Sequence, residues 1–189
     1  MILLDNGHGK DTPGKRSPVW SDGSQLFEYE FNRDIVKRIA KSLIDLGIQN
    51  VILVPELRDI SLSERVIRAN KYDNALLLSI HANAGGGNGW EAYTSPTQTK
   101  ADPLADILYE EARNELIGHK MRIDLSDGDN DKEERFMILT KTKYPAILSE
   151  NLFMDTESDC RFLMSEIGRQ RIAAFHIKAI HRICEISSF

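Results

Sequence analysis

The chain has 189 residues, 41% hydrophobic and 28% charged, with a net charge of −5 and an isoelectric point near 5.6. That is enough apolar side chain for one globular domain spanning 1–189 with a true core, and too little length for a second. There is no Lys/Arg run, no interleaving of aromatic and basic residues and no apolar stretch of membrane length, which excludes nucleic acid as the principal partner and a bilayer as the solvent.

Met1 to Leu4 reads as a buried strand that leads straight into Asp5-Asn6-Gly7-His8-Gly9. No basic leader or long apolar segment precedes Asp5, so no signal peptide is expected. The protein is then either made in the cytoplasm or has lost a leader. Residues 9 to 25 form a polar loop long enough to serve as one wall of a cleft. Phe27, Phe31, Ile35, Ile39 and Leu43 recur every four residues and predict an amphipathic helix that stops at Gly47, with Glu28 and Asn32 one turn apart. Val51 to Val54 is a second short strand. Ser61-Leu62-Ser63-Glu64 fits a capping box for a helix reaching Asn70.

Leu76 to Asn83 begins as a continuous apolar run, the mark of a strand buried on both faces, and carries His81 near its end. Trp90 to Thr94 is another strand, placed at an edge, and Asp102 to Leu116 a helix. Gly118 to Arg135 is the least regular part and reads as a solvated acidic loop. Within it Asp127-Gly128-Asp129-Asn130-Asp131 has the look of a calcium loop, but Gly128 and Glu133 are misplaced for an EF-hand. Phe136 to Leu139 and Ala146 to Ser149 are the last two strands, with Glu150 just beyond. Glu157 to Ser165 and Ile167 to Ile186 are helices. The order strand, helix, strand, helix, strand up to His81 predicts an α/β fold of three layers, a mostly parallel but mixed twisted sheet of about six strands with helices on both faces.

His8, His81 and Glu150 each follow or end a buried strand, where open α/β sheets place their ligands. Two imidazoles and a carboxylate suit a zinc site with a position left for water, but from residue chemistry alone two separately hydrogen-bonded histidines serve equally well. Manganese or cobalt would also suit such donors. His119, His176 and His181 read as structural or exposed; the last two, five apart on one helix, do not share a face. Cys160 and Cys184 read as free thiols.

Asp5-Asn6-Gly7-His8-Gly9, Glu28 with Asn32 four on, Ser79-Ile80-His81-Ala82-Asn83 and Pro145-Ala146-Ile147-Leu148-Ser149-Glu150 occur in one order. Together they resemble the zinc-dependent N-acetylmuramoyl-L-alanine amidases of the amidase type 3 family. Leu62, Arg65, Ala69 and Asn70, then Gly89 to Tyr93, then Ile172-Ala173 extend the resemblance over nearly the whole chain. It implies that His8, Glu28 and His81 bind zinc and that Glu150 is the catalytic carboxylate. Glu28 is preferred to Glu30 because the family's glutamate stands four before an asparagine. Asn83 and Glu91 are expected to border the site, or else simply to cap a turn and a strand.

The implied substrate is peptidoglycan, cut between the lactyl group of N-acetylmuramic acid and L-alanine by a monomer working on the bacterial wall, after the fashion of a phage or prophage lysin. The rivals are a zinc peptidase cutting within the stem peptide and an inactive wall-binding module. Two departures stand out: Asn6 where the family has proline, and Asn151-Leu152-Phe153 where a glycine-phenylalanine pair usually follows the catalytic glutamate.

Overall fold

The computed structural model describes residues 1–97 and 99–186. Six strands form one sheet: β1 (Ile2–Asn6), β2 (Asn50–Ile52), β3 (Leu76–Asn83), β4 (Glu91–Thr94), β5 (Lys132–Glu133) and β6 (Ala146–Phe153), in the order β2-β1-β3-β6-β4-β5. β2, β1, β3 and β6 run parallel; β4 is antiparallel to β6 and parallel to β5. The expected α/β architecture is therefore present, with the parallel half carrying the site.

Alternation along the strands sorts the core into two layers. Ile2, Leu4, Leu76, Leu78 and Ile80 face one side, against α1 (Glu28–Asp45), α3 (Asp102–Glu115), α5 (Glu157–Met164) and α6 (Glu166–Ile186). Leu3, Leu77 and Leu148 face the other, against α2 (Leu62–Ala69) and the single turn α4 (Met137–Thr140). Phe31, Ile35, Ile39 and Leu43 are all 0% exposed. At roughly 1.5–3 kcal/mol each, this stripe is what seats α1 on the sheet. The helix closes where expected: Gly47, at φ 72°, donates to Ile44 O, and Ile48 donates back to Leu43 O at 2.8 Å. Ser61 Oγ caps α2 by accepting from Glu64 N at 3.2 Å.

Three expectations are corrected. Phe136 to Leu139 is not a strand: Thr140 and Lys141 donate to Phe136 O and Met137 O, and adjacent Ile138 and Leu139 are both buried, which one face of a strand does not allow. The remaining strand is instead Lys132–Glu133, which forms the sheet's edge in place of β4. It lies inside the stretch read as a solvated acidic loop, where Asp129 and Asp131 are in fact buried. Cys160 and Cys184 are free thiols. Among the described residues no helix is long and apolar enough to cross a membrane.

Candidate metal centre

The three parallel strands β1, β3 and β6 deliver their chemistry to one edge of the sheet. His81 and Glu150 are register partners across β3 and β6: His81 lies within its strand as expected, and Glu150 lies within β6 rather than just beyond it. His8 follows β1 on a backbone turned at Gly7 and Gly9. Gly7 is required by close approach, since a Cβ there would stand 2.0 Å from His81 Cε1. His8 itself sits at φ 63°, a strained conformation for a residue with a side chain.

A buried network holds that loop. Arg65 donates to Asp5 Oδ1 at 2.6 Å, to Asn6 O at 3.1 Å and to Asp59 Oδ1 at 2.9 Å, while Ser79 Oγ donates to Asp5 Oδ2. Asp59 also accepts from Thr12 Oγ1, which in turn accepts from Gly9 N. Arg33 donates to His8 O at 2.8 Å.

His8, Glu28 and His81 each present one ligand atom, all within 4.8 Å of one another. Glu28 is 1% exposed. Its Oε1 is held by His81 Nδ1 at 3.1 Å, Ala82 N at 3.3 Å and Asn32 Nδ2 at 3.4 Å. Its Oε2 is buried and receives no hydrogen bond; the nearest cation, Lys15 Nζ, is 4.0 Å away. Both imidazoles face Oε1, His8 Nε2 at 3.5 Å, and a buried carboxylate whose other oxygen is bare is costly unless a cation completes it, so these donors fit a metal ion. Glu30, one of the two carboxylates weighed for this place, is exposed and only accepts from the Tyr29 hydroxyl.

Burial pushes the His8 imidazole down to about 4, although Glu28 pulls it the other way, so its lone pair is available at neutral pH. Burial also works against charge on His81, but Glu28 and Glu150 outweigh it and its pKa lies above the ordinary imidazole value. Glu28 lies below the usual carboxylate value because the hydrogen bond and charge of His81 overcome its burial. Glu28 and His81 thus favour each other's charged forms. Glu150 has the opposite problem. Burial, with Glu28 and Glu91 nearby, pushes its carboxyl up to about 7 against the pull of His81, and its Oε2 has no partner.

His8, His81 and Glu150 line a cleft of about 520 Å³ together with Lys15, Ile60 and Ile138. Thr12 and Lys15 come from the polar loop, which does form a wall. Lys15 was not singled out from the sequence, because a lone lysine in a polar loop carries no signal. Asn83 and Glu91 are bonded to each other, Nδ2 to Oε1 at 2.6 Å. Glu91 also accepts from Tyr93, Arg122 and Lys132, and it stands in register opposite Glu150 across β4 and β6.

The departure after Glu150 has a structural counterpart. His81 pairs with Glu150 and Asn83 with Phe153, so β6 carries one extra residue, a bulge, with buried Leu152 at φ 60°. Asn151 uses the bulge to donate to His81 O at 2.9 Å and accepts from Trp90 Nε1 at 3.1 Å. It also donates to Ser149 Oγ at 3.2 Å, which faces His176 Nε2 at 3.0 Å.

His176 is 0% exposed, bonded through Nδ1 to Ile172 O at 2.7 Å, and burial pushes its imidazole down to about 4. Because the unfolded chain takes up this proton near pH 6.5 and the native one only near 4, its stabilising contribution is whole above 6.5. It is lost as pH falls toward 4, about 3 kcal/mol in all. Tm measured from pH 7 to 4.5 should fall less steeply for His176→Gln than for the parent; parallel curves would contradict this. His119 pairs with Asp159 at 3.6 Å and His181 is half exposed, both outside the cleft.

The family model for N-acetylmuramoyl-L-alanine amidase matches residues 2–182. The N-acetylmuramoyl-L-alanine amidase CwlM of Bacillus licheniformis is 30% identical over 98% of this chain and 69% of its own length. The endolysin of Bacillus phage SPP1 is 28% identical over 98% of this chain and 66% of its own. Among solved structures, an N-acetylmuramoyl-L-alanine amidase from Clostridium difficile 630 superposes with a TM-score of 0.86 at 25% identity, covering 98% of this chain and 97% of that one. The match along nearly the whole length, in sequence and in fold, makes this chain a member of the N-acetylmuramoyl-L-alanine amidase family.

Proposed function

We propose that this amidase binds zinc through His8, Glu28 and His81 and uses Glu150 to move the proton when the bond between the muramic acid lactyl carbonyl and L-alanine is hydrolysed. The observation that carries it is the convergence of the three ligand atoms within 4.8 Å of one another, with His8 and His81 lining the same cleft as Glu150, whose carboxyl desolvation pushes up to about 7. Zinc at such a site supplies Lewis acidity, polarising an amide carbonyl and making water a better nucleophile near neutral pH.

The chain's own groups do the rest. Glu150 accepts a proton as the water oxygen bonds to the carbonyl carbon, and then returns it to the alanine nitrogen as the C–N bond breaks. The products are a lactyl carboxylate and a peptide with a free N-terminal alanine. Glu91 acts as a positioning residue: it fixes Asn83 at the border of the site and draws Arg122 and Lys132 toward the strand opposite Glu150. All four principal groups come from one chain, which supports a monomer as the working form, with peptidoglycan of the cell wall as its partner. The isoelectric point near 5.6 offers no pull toward anionic wall polymers, so affinity must come from the cleft.

Digestion of purified peptidoglycan, with products identified by mass spectrometry, tests the bond. Intact stem peptides beginning at alanine are expected; shortened peptides still attached to sugar would mean a stem-peptide peptidase instead.

A further inference from the structure

Apart from histidine, two basic side chains line the cleft, Arg65 and Lys15. Arg65 is spent on Asp5, Asp59 and the carbonyl of Asn6. Lys15 is not. Among the described residues its ammonium group forms no hydrogen bond, its ion pair with Glu28 Oε2 stands at 4.0 Å, and its side chain is 44% exposed. Its charge nevertheless acts on His8, Glu28 and Glu150 alike.

The backbone beneath that side chain is fixed. Lys15 O accepts from Glu28 N at 3.1 Å, and Arg16 pairs with Phe27 in an antiparallel bridge. Ser17 N donates to Leu26 O at 2.9 Å, and Leu26 N donates back to Ser17 Oγ at 2.9 Å. The polar loop is thereby fastened to the start of α1, with Lys15 set beside Glu28. A cation with a fixed root and an unpartnered tip, in a cleft, is arranged to meet an anion that the protein does not supply.

The rest of the lining narrows what carries that anion. Leu62, Phe136 and Met137 line the same cleft and are exposed, and they suit methyl and alkyl groups rather than charge. In the proposed reaction the scissile amide lies between an uncharged lactyl ether and the methyl group of alanine. The nearest charge a stem peptide can bring is the carboxylate of its second residue, which is either a free acid or capped as a carboxamide.

We propose that Lys15 determines specificity by donating to the free carboxylate on the second residue of the stem peptide, so that the acid is preferred to the carboxamide. This rests on the reaction assigned above. The carboxamide has the same shape but no charge, and its bond to an ammonium group is the weaker for it. A half-exposed lysine on a flexible stem suits a permanent charge on the bound substrate. Charge that develops only at the reacting carbon calls for a rigidly preorganised donor instead.

The test uses a pair of soluble muropeptides, a disaccharide bearing a short stem, identical except for acid or carboxamide at the second residue. Binding to zinc-loaded Glu150→Gln protein is measured by calorimetry, alone and with Lys15→Met or Lys15→Arg added, and turnover of both ligands is measured for the parent and the two Lys15 variants. The acid should bind about tenfold more tightly than the amide, between the values for an exposed ion pair and a well-formed charged hydrogen bond. That ratio should shrink as salt rises from about 0.05 to 0.5 M. Lys15→Met should bring the ratio to near one while keeping one zinc per chain, and Lys15→Arg should keep most of it. In turnover the preference should lie in KM rather than in kcat.

Equal binding of acid and amide by protein that retains Lys15 would overturn the proposal, and this arm needs no Lys15 variant to fold. So would a ratio left unchanged by Lys15→Met, or a Lys15→Met loss that fell on kcat equally for both ligands. Failure of the reaction itself shows separately, as parent protein that leaves the bond to alanine uncut in both ligands, while the binding ratio still decides the role of Lys15.

Discussion

Glu150→Gln is expected to give a folded protein that still takes up zinc but releases peptide from the wall roughly a hundredfold to ten-thousandfold more slowly, the range for loss of a positioned proton-transfer group. Gln keeps the volume and removes only the basic oxygen. Glu150 is half-buried in β6, its Oε2 has no partner, and desolvation, with Glu28 and Glu91 nearby, pushes its carboxyl up to about 7, so the charge it loses is one the fold was straining to keep. Tm of the variant should therefore equal or exceed that of the parent, which separates a chemical defect from a folding one. A rate within tenfold of the parent, with zinc bound, would remove Glu150 from the proton transfer.

The ligand variants should fail differently. His8→Ala and His81→Ala should lose tight zinc binding, activity and the zinc-dependent rise in Tm together. At a thousandfold excess over Kd, zinc stabilises the native parent by about 4 kcal/mol, which for a chain of this size is on the order of 10 °C. Neither histidine is a large core side chain, and the framework under them, Asp5, Ser79 and Arg65, is untouched by the change. Glu30→Gln is the control: exposed and only two residues from Glu28, but on the far side of the helix, it should leave zinc content and rate unchanged. If Glu30→Gln lost zinc and Glu28→Gln kept it, the ligand set would be wrong.

How far the sequence carried these expectations depended on how local the signal was. α1 was legible because five apolar residues at four-residue spacing can be satisfied by one structure, and β3 because eight residues with a continuous apolar start are too short for a helix of that burial. His8, His81 and Glu150 were legible because they stand at or near the ends of such runs, and their motifs occur in family order. β5 was not legible. Two residues carry no period, and they become a strand only because Tyr93 and Thr94 lie alongside. α4 was misread for the related reason that four apolar residues fit a turn of helix as well as a strand.

Charge was the least legible quantity. Arg122 and Lys132 sit among so many carboxylates that nothing in the sequence shows them serving Glu91, and nothing shows Asp129 and Asp131 buried while Asp127 is exposed. Asn151 looked like a departure from the family pattern beside Glu150; in the fold it bonds to the carbonyl of His81 through the bulge at Leu152. Each of these depends on contacts between segments far apart in sequence, which no local pattern encodes.

The most direct measurement is the rate of peptide release from purified peptidoglycan as metal-free protein is given back increasing equivalents of zinc. No release is expected at zero, then a linear rise to one equivalent per chain and a plateau beyond it, with His81→Ala flat throughout. Release by protein shown to hold no metal, or an undiminished rate in His81→Ala, would contradict it.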